Sequence, residues 1–157
     1  MEDVIGYIYN TDSSGWLRLE TWVIPAVQTV HILALATLVG SALLLDLRLA
    51  GVLARVDSGA ALVRRYMPTL WVALAILLAS GSTLMWAEPE RVLSKQIFWI
   101  KMALVLTGFG LTFLLRSKLV KHDADGTRGM FDAAFGWIAL AIWVAALFLG
   151  RWIAYAY

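Results

Sequence analysis

Two ionisable side chains, His31 and Lys101, interrupt long apolar runs of this 157-residue sequence. His31 lies nine residues after Trp22, about 13 Å along a helix axis and so near the middle of a bilayer. Gln28 precedes it by three residues and shares its helical face. An ionisable group at that depth is costly unless it is neutral, paired or liganded, which points to a functional role. The alternative is a neutral imidazole that bridges helices, satisfied by Gln28 or by a hydroxyl such as Ser80, Ser82 or Thr107. Lys101 follows Phe98-Trp99-Ile100, one turn into a later apolar run. A lysine there can snorkel its ammonium to the headgroups, with Glu88 or Glu20 as partners.

The elements that must position these residues are transmembrane helices. Hydrophobic residues make up 61% of the chain and charged residues 15%, and the mean hydropathy is +0.77. A soluble domain of this size could not hide so much apolar surface, whereas lipid solvates it. Four spans are expected, over about 22–45, 68–86, 97–115 and 131–150, giving an all-α, integral membrane four-helix bundle in one domain. Asp46 and Arg48 close the first span, and Asp57-Ser58-Gly59 form a break. Pro68 suits the first turn of the second span or a kink, and Glu88-Pro89-Glu90 ends it. His122 falls in a polar turn after the third span, and Asp132 opens the fourth, where an acid favours the positive helix end. Tyr7, Tyr9 and Trp16, ahead of the first span, are expected at the headgroup level.

Several classes of chemistry drop out. With no cysteine, disulfides, thiolate metal sites, iron–sulfur clusters and cysteine nucleophiles are excluded. The net charge of +2 comes from basic residues placed between apolar runs, a topology pattern and not a nucleic-acid stripe. Glu2 and Asp3 stand where a signal peptide has its basic region, so none is expected. Small residues at Ala36 and Gly40, Ala79 to Ser82, Gly108 and Gly110, and Ala146 and Gly150 are expected to let helices approach, the alternative being room for a flat cofactor. Asp46 and Arg48 suggest a structural ion pair, or a contact to Arg65 or Arg116. Most tryptophans fall at span ends; Trp71, Trp137 and Trp143 lie deeper, where packing accounts for them.

The string from His31 through Gly40 and Ser41, with Trp99-Ile100-Lys101-Met102 on the third span, resembles a group of small bacterial membrane proteins. It includes the CopD-like copper-resistance proteins and the HemJ-type protoporphyrinogen oxidases. Asp46-Leu47-Arg48-Leu49 also looks like a family of uncharacterised four-helix proteins. The resemblance implies a haem b or copper site on His31, with Lys101 as a required helper, in a bacterial inner membrane. Haem fits a neutral imidazole whose other nitrogen meets an acceptor such as the Gln28 carbonyl. Its propionates would face Lys101 and Arg151. Met85 and Met102 are candidate second ligands if the haem tilts, and His122 stands at the wrong depth. A five-coordinate haem, or one shared by two copies, is the alternative. Copper would use His31, Met85 and Met102, a soft donor set.

Two functions are therefore carried forward, a redox or accessory module with a cofactor on His31, and a non-catalytic scaffold docking to itself or to a larger membrane complex. Orientation follows from the basic residues. Arg48, Arg55, Arg64, Arg65, Arg116, Lys118, Lys121 and Arg128 lie on one side, against Arg18, Arg91, Lys95, Lys101 and Arg151 on the other. The richer side is cytoplasmic, which leaves both termini outside. A reporter fused to the C-terminus should read out as external; a cytoplasmic signal would reverse the assignment.

Overall fold

The computed structural model describes residues 2–53, 58–125 and 130–153. Seven helices follow one another among them: α1 (Glu2–Tyr9), α2 (Asp12–Leu19), α3 (Val23–Leu49), α4 (Gly59–Ala87), α5 (Pro89–Leu93), α6 (Gln96–Asp125) and α7 (Met130–Ile153). Four of these, α3, α4, α6 and α7, are long and apolar enough to cross a membrane. No strand occurs among the described residues. The protein is an all-α, multi-pass membrane four-helix bundle whose environment is the lipid bilayer.

The helices run antiparallel in sequence order. α3 packs along α4, α6 along α7, α3 against α7 and α4 against α6; α3 also touches α6 across the diagonal, while α4 and α7 do not meet among the described residues. One end of the bundle gathers the starts of α3 and α6 with the ends of α4 and α7. We call it the His31 end, and the opposite one the Asp46 end.

Burial on α3 follows Ala34, Leu38, Ala42, Leu45 and Leu49, one side of a helix. Leu62, Met67, Leu70, Ala73 and Leu77 of α4, Leu115 and Leu119 of α6 and Trp143 of α7 complete the core. The outer faces are equally apolar, with Ile32, Leu33, Val72, Leu106, Leu114 and Phe148 all exposed. Lipid solvates those side chains, so the hydrophobic effect does not distinguish inside from outside here.

Three boundaries differ from the sequence reading; in one, α6 runs on to Asp125, so that His122 lies in its last turn and not in a polar turn. α3 continues past residue 45 to Leu49, so Asp46 and Arg48 lie inside the helix and are buried. α4 begins at Gly59, where the Ser58 hydroxyl accepts from the Ala61 N–H at 3.1 Å, an N-cap. Pro68 therefore sits within α4 and not at its start. Its ring removes one helical N–H, a loss that one bend in a long helix can absorb.

Small residues mark close contacts, but not always the expected ones. Ala36 and Gly40 are exposed, and a Cβ on Gly40 or Gly110 would meet nothing within 4 Å; these positions face outward in the single chain. The tightest approach is at Gly136, where a Cβ would lie 2.7 Å from the Ala50 nitrogen and 2.8 Å from the Asp46 carbonyl oxygen. Gly108 receives Trp143, which a Cβ would approach to 3.2 Å. Trp143 is buried as expected, whereas Trp71 and Trp137 face outward; Trp71 lies edge-on to Phe109 at 5.0 Å.

At the His31 end α2 is pinned to the last turn of α4. Ser14 Oγ donates to the Trp86 carbonyl at 2.9 Å, and Arg18 donates to the Ala87 carbonyl at 3.2 Å and to the Tyr9 carbonyl at 2.8 Å. Arg18 also stacks 3.7 Å from the Tyr9 ring centroid. A cation over unpaired carbonyls suits the negative end of a helix. Tyr7, Trp16, Leu19 and Trp22 stay exposed around this cap.

The Gly136 contact carries a prediction. Gly136→Ala must push α7 off the α3 backbone and should cost about 1–3 kcal/mol, read as a lower unfolding midpoint in detergent. Gly40→Leu should leave the single chain near wild-type stability. Equal stabilities for the two variants would mean that α3 and α7 do not meet at Gly136.

Candidate cofactor site at His31

His31 lies eight residues into α3, about 12 Å from its start at 1.5 Å per residue. The midpoint of this 27-residue helix is Ala36, so His31 sits in its N-terminal half and not at the centre. It is half-buried and turned toward α4. His31 Nδ1 and Ser80 Oγ are 2.8 Å apart. Of the partners the sequence offers, α4 supplies Ser80. Gln28 is exposed and makes no hydrogen bond among the described residues, which corrects its expected role as acceptor. Ser82 and Thr107 are exposed too, and Thr107 is turned back onto the Ala103 carbonyl at 2.7 Å.

The Ser80 contact fixes the imidazole. A hydroxyl has one hydrogen and two acceptor lone pairs. The Ser80 hydrogen goes to the Ile76 carbonyl, 2.6 Å away, because a carbonyl can only accept. Ser80 Oγ must then accept from His31 Nδ1–H. In the neutral ring the lone pair falls on Nε2, for which the described residues offer no hydrogen-bond partner. The next residue of α4, Gly81, completes the seat, since a Cβ there would stand 3.3 Å from His31 Cε1. The sequence reading noted Gly81 as a packing residue but had no signal that the imidazole lies on it.

Lys101 stands at the same end, on α6. Its stem crosses to α7 over Gly150, where a Cβ would meet Cε at 3.3 Å and Nζ at 3.4 Å. Its ammonium is close enough to act electrostatically on His31. Neither Glu88 nor Glu20 pairs with it, and it makes no hydrogen bond or ion pair among the described residues. All four membrane helices thus contribute: His31 from α3, Ser80 and Gly81 from α4, Lys101 from α6 and Gly150 from α7. The arrangement offers one nitrogen lone pair and one ammonium, the means to ligate a metal and to hold an anion.

Met85 is one turn beyond Gly81 on the same face of α4 and half-buried, and Met102 adjoins Lys101. The Arg151 and His122 side chains lie outside the described residues. Among those described, no three His, Cys, Asp or Glu side chains gather as a metal site. At the other end of the bundle, Asp132 in the first turn of α7 pairs with Lys118 at 2.9 Å. Asp46 forms no ion pair with Arg48, Arg65 or Arg116, contrary to expectation, because the carboxyl turns into the α6–α7 side of the bundle.

The tautomer is open to measurement. Nitrogen NMR of histidine-labelled protein should show His31 with its proton on Nδ1. Ser80→Ala should mix the two tautomers, with a loss of about 1 kcal/mol in stability. A wild-type His31 protonated at Nε2 alone would reverse the assignment.

No curated protein and no solved structure matches the chain significantly. A family model described as a family of unknown function, DUF6644, matches residues 4–156, and the chain belongs to that family.

Proposed function

We propose that the protein is a membrane-embedded cofactor module in which His31 Nε2 is the ligand, with haem b as the cofactor. One observation carries the reading: His31 Nδ1 lies 2.8 Å from Ser80 Oγ, whose hydrogen goes to the Ile76 carbonyl, while Nε2 has no hydrogen-bond partner among the described residues. Histidine ligands are oriented in this way, one ring nitrogen held by an acceptor so that the other is aimed and made more basic. Gly81 keeps the ring in place, and Lys101 supplies a cation for a propionate. Bound haem would supply one-electron redox chemistry. The chain's own part is to hold the ligand nitrogen, neutralise the anionic edge and exclude water.

Copper is the weaker choice. It would need Met85 and Met102 beside His31, and Met102 follows a lysine whose charge opposes a cation. The setting we propose is a bacterial inner membrane with both termini outside.

A second reading, a scaffold that docks to another copy or to a larger membrane complex, is favoured by the exposed Ala36 and Gly40 on α3. Protein purified from haem-replete cells decides between the two. A Soret band is expected, abolished by His31→Ala and retained more weakly by Lys101→Met. A folded, colourless and metal-free wild-type protein would end the cofactor reading and leave the scaffold.

A further inference from the structure

The Asp46 end holds a second polar site, independent of His31. Asp46 is 1% exposed, three residues before the end of α3. Around it converge the Thr112 hydroxyl from α6 and the Trp143 indole from α7. Both side chains are buried themselves, at 3% and 1% exposure. They face the carboxyl without closing a hydrogen bond: Asp46 Oδ2, Thr112 Oγ1 and Trp143 Nε1 are all buried without a partner.

Glycines hold this junction shut. Gly136 brings α7 onto the Asp46 carbonyl and the Ala50 nitrogen, and Gly108, one turn before Thr112, receives the Trp143 ring. Among the described residues no charged side chain acts on Asp46, and the polar side chains that face it are Thr112 and Trp143. Arg48, two residues along α3, points Nη1 toward the Leu53 carbonyl at 3.5 Å.

An ionised carboxylate here would be a buried charge with no cation beside it, one of the costliest arrangements in a protein interior. A metal cation does not fit, because the indole N–H presents its hydrogen to the site and indole nitrogen is donor only. A proton fits. We propose that Asp46 is a proton-binding site, its carboxyl carrying a proton that it donates to Thr112 Oγ1 while it accepts from the Trp143 N–H. Protonation removes the charge, which is the costly part of burying this side chain. The position close to the end of α3 leaves a short path for the proton to and from water.

Proton binding here also ties the fold to pH. If the folded chain keeps a proton that the unfolded chain releases, the folded state binds more protons, and stability falls as pH rises. Asp46→Asn, which keeps the shape and cannot ionise, should remove that part of the dependence.

Infrared difference spectra of full-length protein in lipid test the site directly. At pH 7 the wild type should show the carbonyl stretch of a protonated carboxylic acid, lost in Asp46→Asn and shifted in Thr112→Val, where the hydrogen bond is missing. Denaturation in mixed micelles should show the wild-type midpoint falling as pH is raised and the Asp46→Asn midpoint falling less. A wild-type spectrum with carboxylate bands only, or an acid band that survives in Asp46→Asn, would overturn the proposal. If Asp46→Asn does not fold, the Thr112→Val shift alone decides, an unshifted band counting against the site.

Discussion

Hydrocarbon offers no hydrogen-bond partner, so each polar group carried into the bundle must be answered by another part of the chain. The answers come mostly from neighbouring helices. His31 of α3 is met by Ser80 of α4, and Asp132 of α7 by Lys118 of α6. The open carbonyls at the end of α4 are met by Ser14 and Arg18 of α2. Apolar packing alone could not set the register of these helices, since their outer and inner faces are similarly apolar. The polar pairs and the bare glycine contacts therefore specify which faces meet.

That constraint also explains what could be read from the sequence. The four spans were legible because length and hydropathy are properties of the whole segment and need no partner. His31 was legible as an anomaly, and Ser80 was one of several hydroxyls that could satisfy it. Choosing among them required the rotation of α4, which its composition leaves open. The same gap misplaced the glycines. Gly40 and Gly136 look alike in apolar runs, yet one faces outward and the other touches the α3 backbone. Pro68 misled for another reason, because a proline favours a first turn in water but a long membrane helix can carry one inside. The docking of Arg18 on α4 gave no signal, because its partner there is the main-chain carbonyl of Ala87, far along the sequence.

α3 and α6 each touch the other three membrane helices, and α3 carries both sites. Its two polar positions solve the same problem differently. At His31 a hydroxyl takes one nitrogen and leaves the other available, so the site is half answered and open to a ligand. At Asp46 two weakly placed neutral groups surround an acid, and nothing larger than a proton completes the set.

Between the two sites α3 presents Leu38, Ala42 and Leu45 to the core, each almost fully buried, with Leu70, Ala73 and Leu77 of α4 in the same cluster. Fifteen residues separate His31 from Asp46, about 22 Å along the helix. A proton relay over that distance needs polar groups or water in series, and among the described residues Ser41 is the one buried polar side chain of α3 between the two positions. One hydroxyl does not make a series over that length, so the proposed ligand site at His31 and the proposed proton site at Asp46 are best served each from its own end of the bundle.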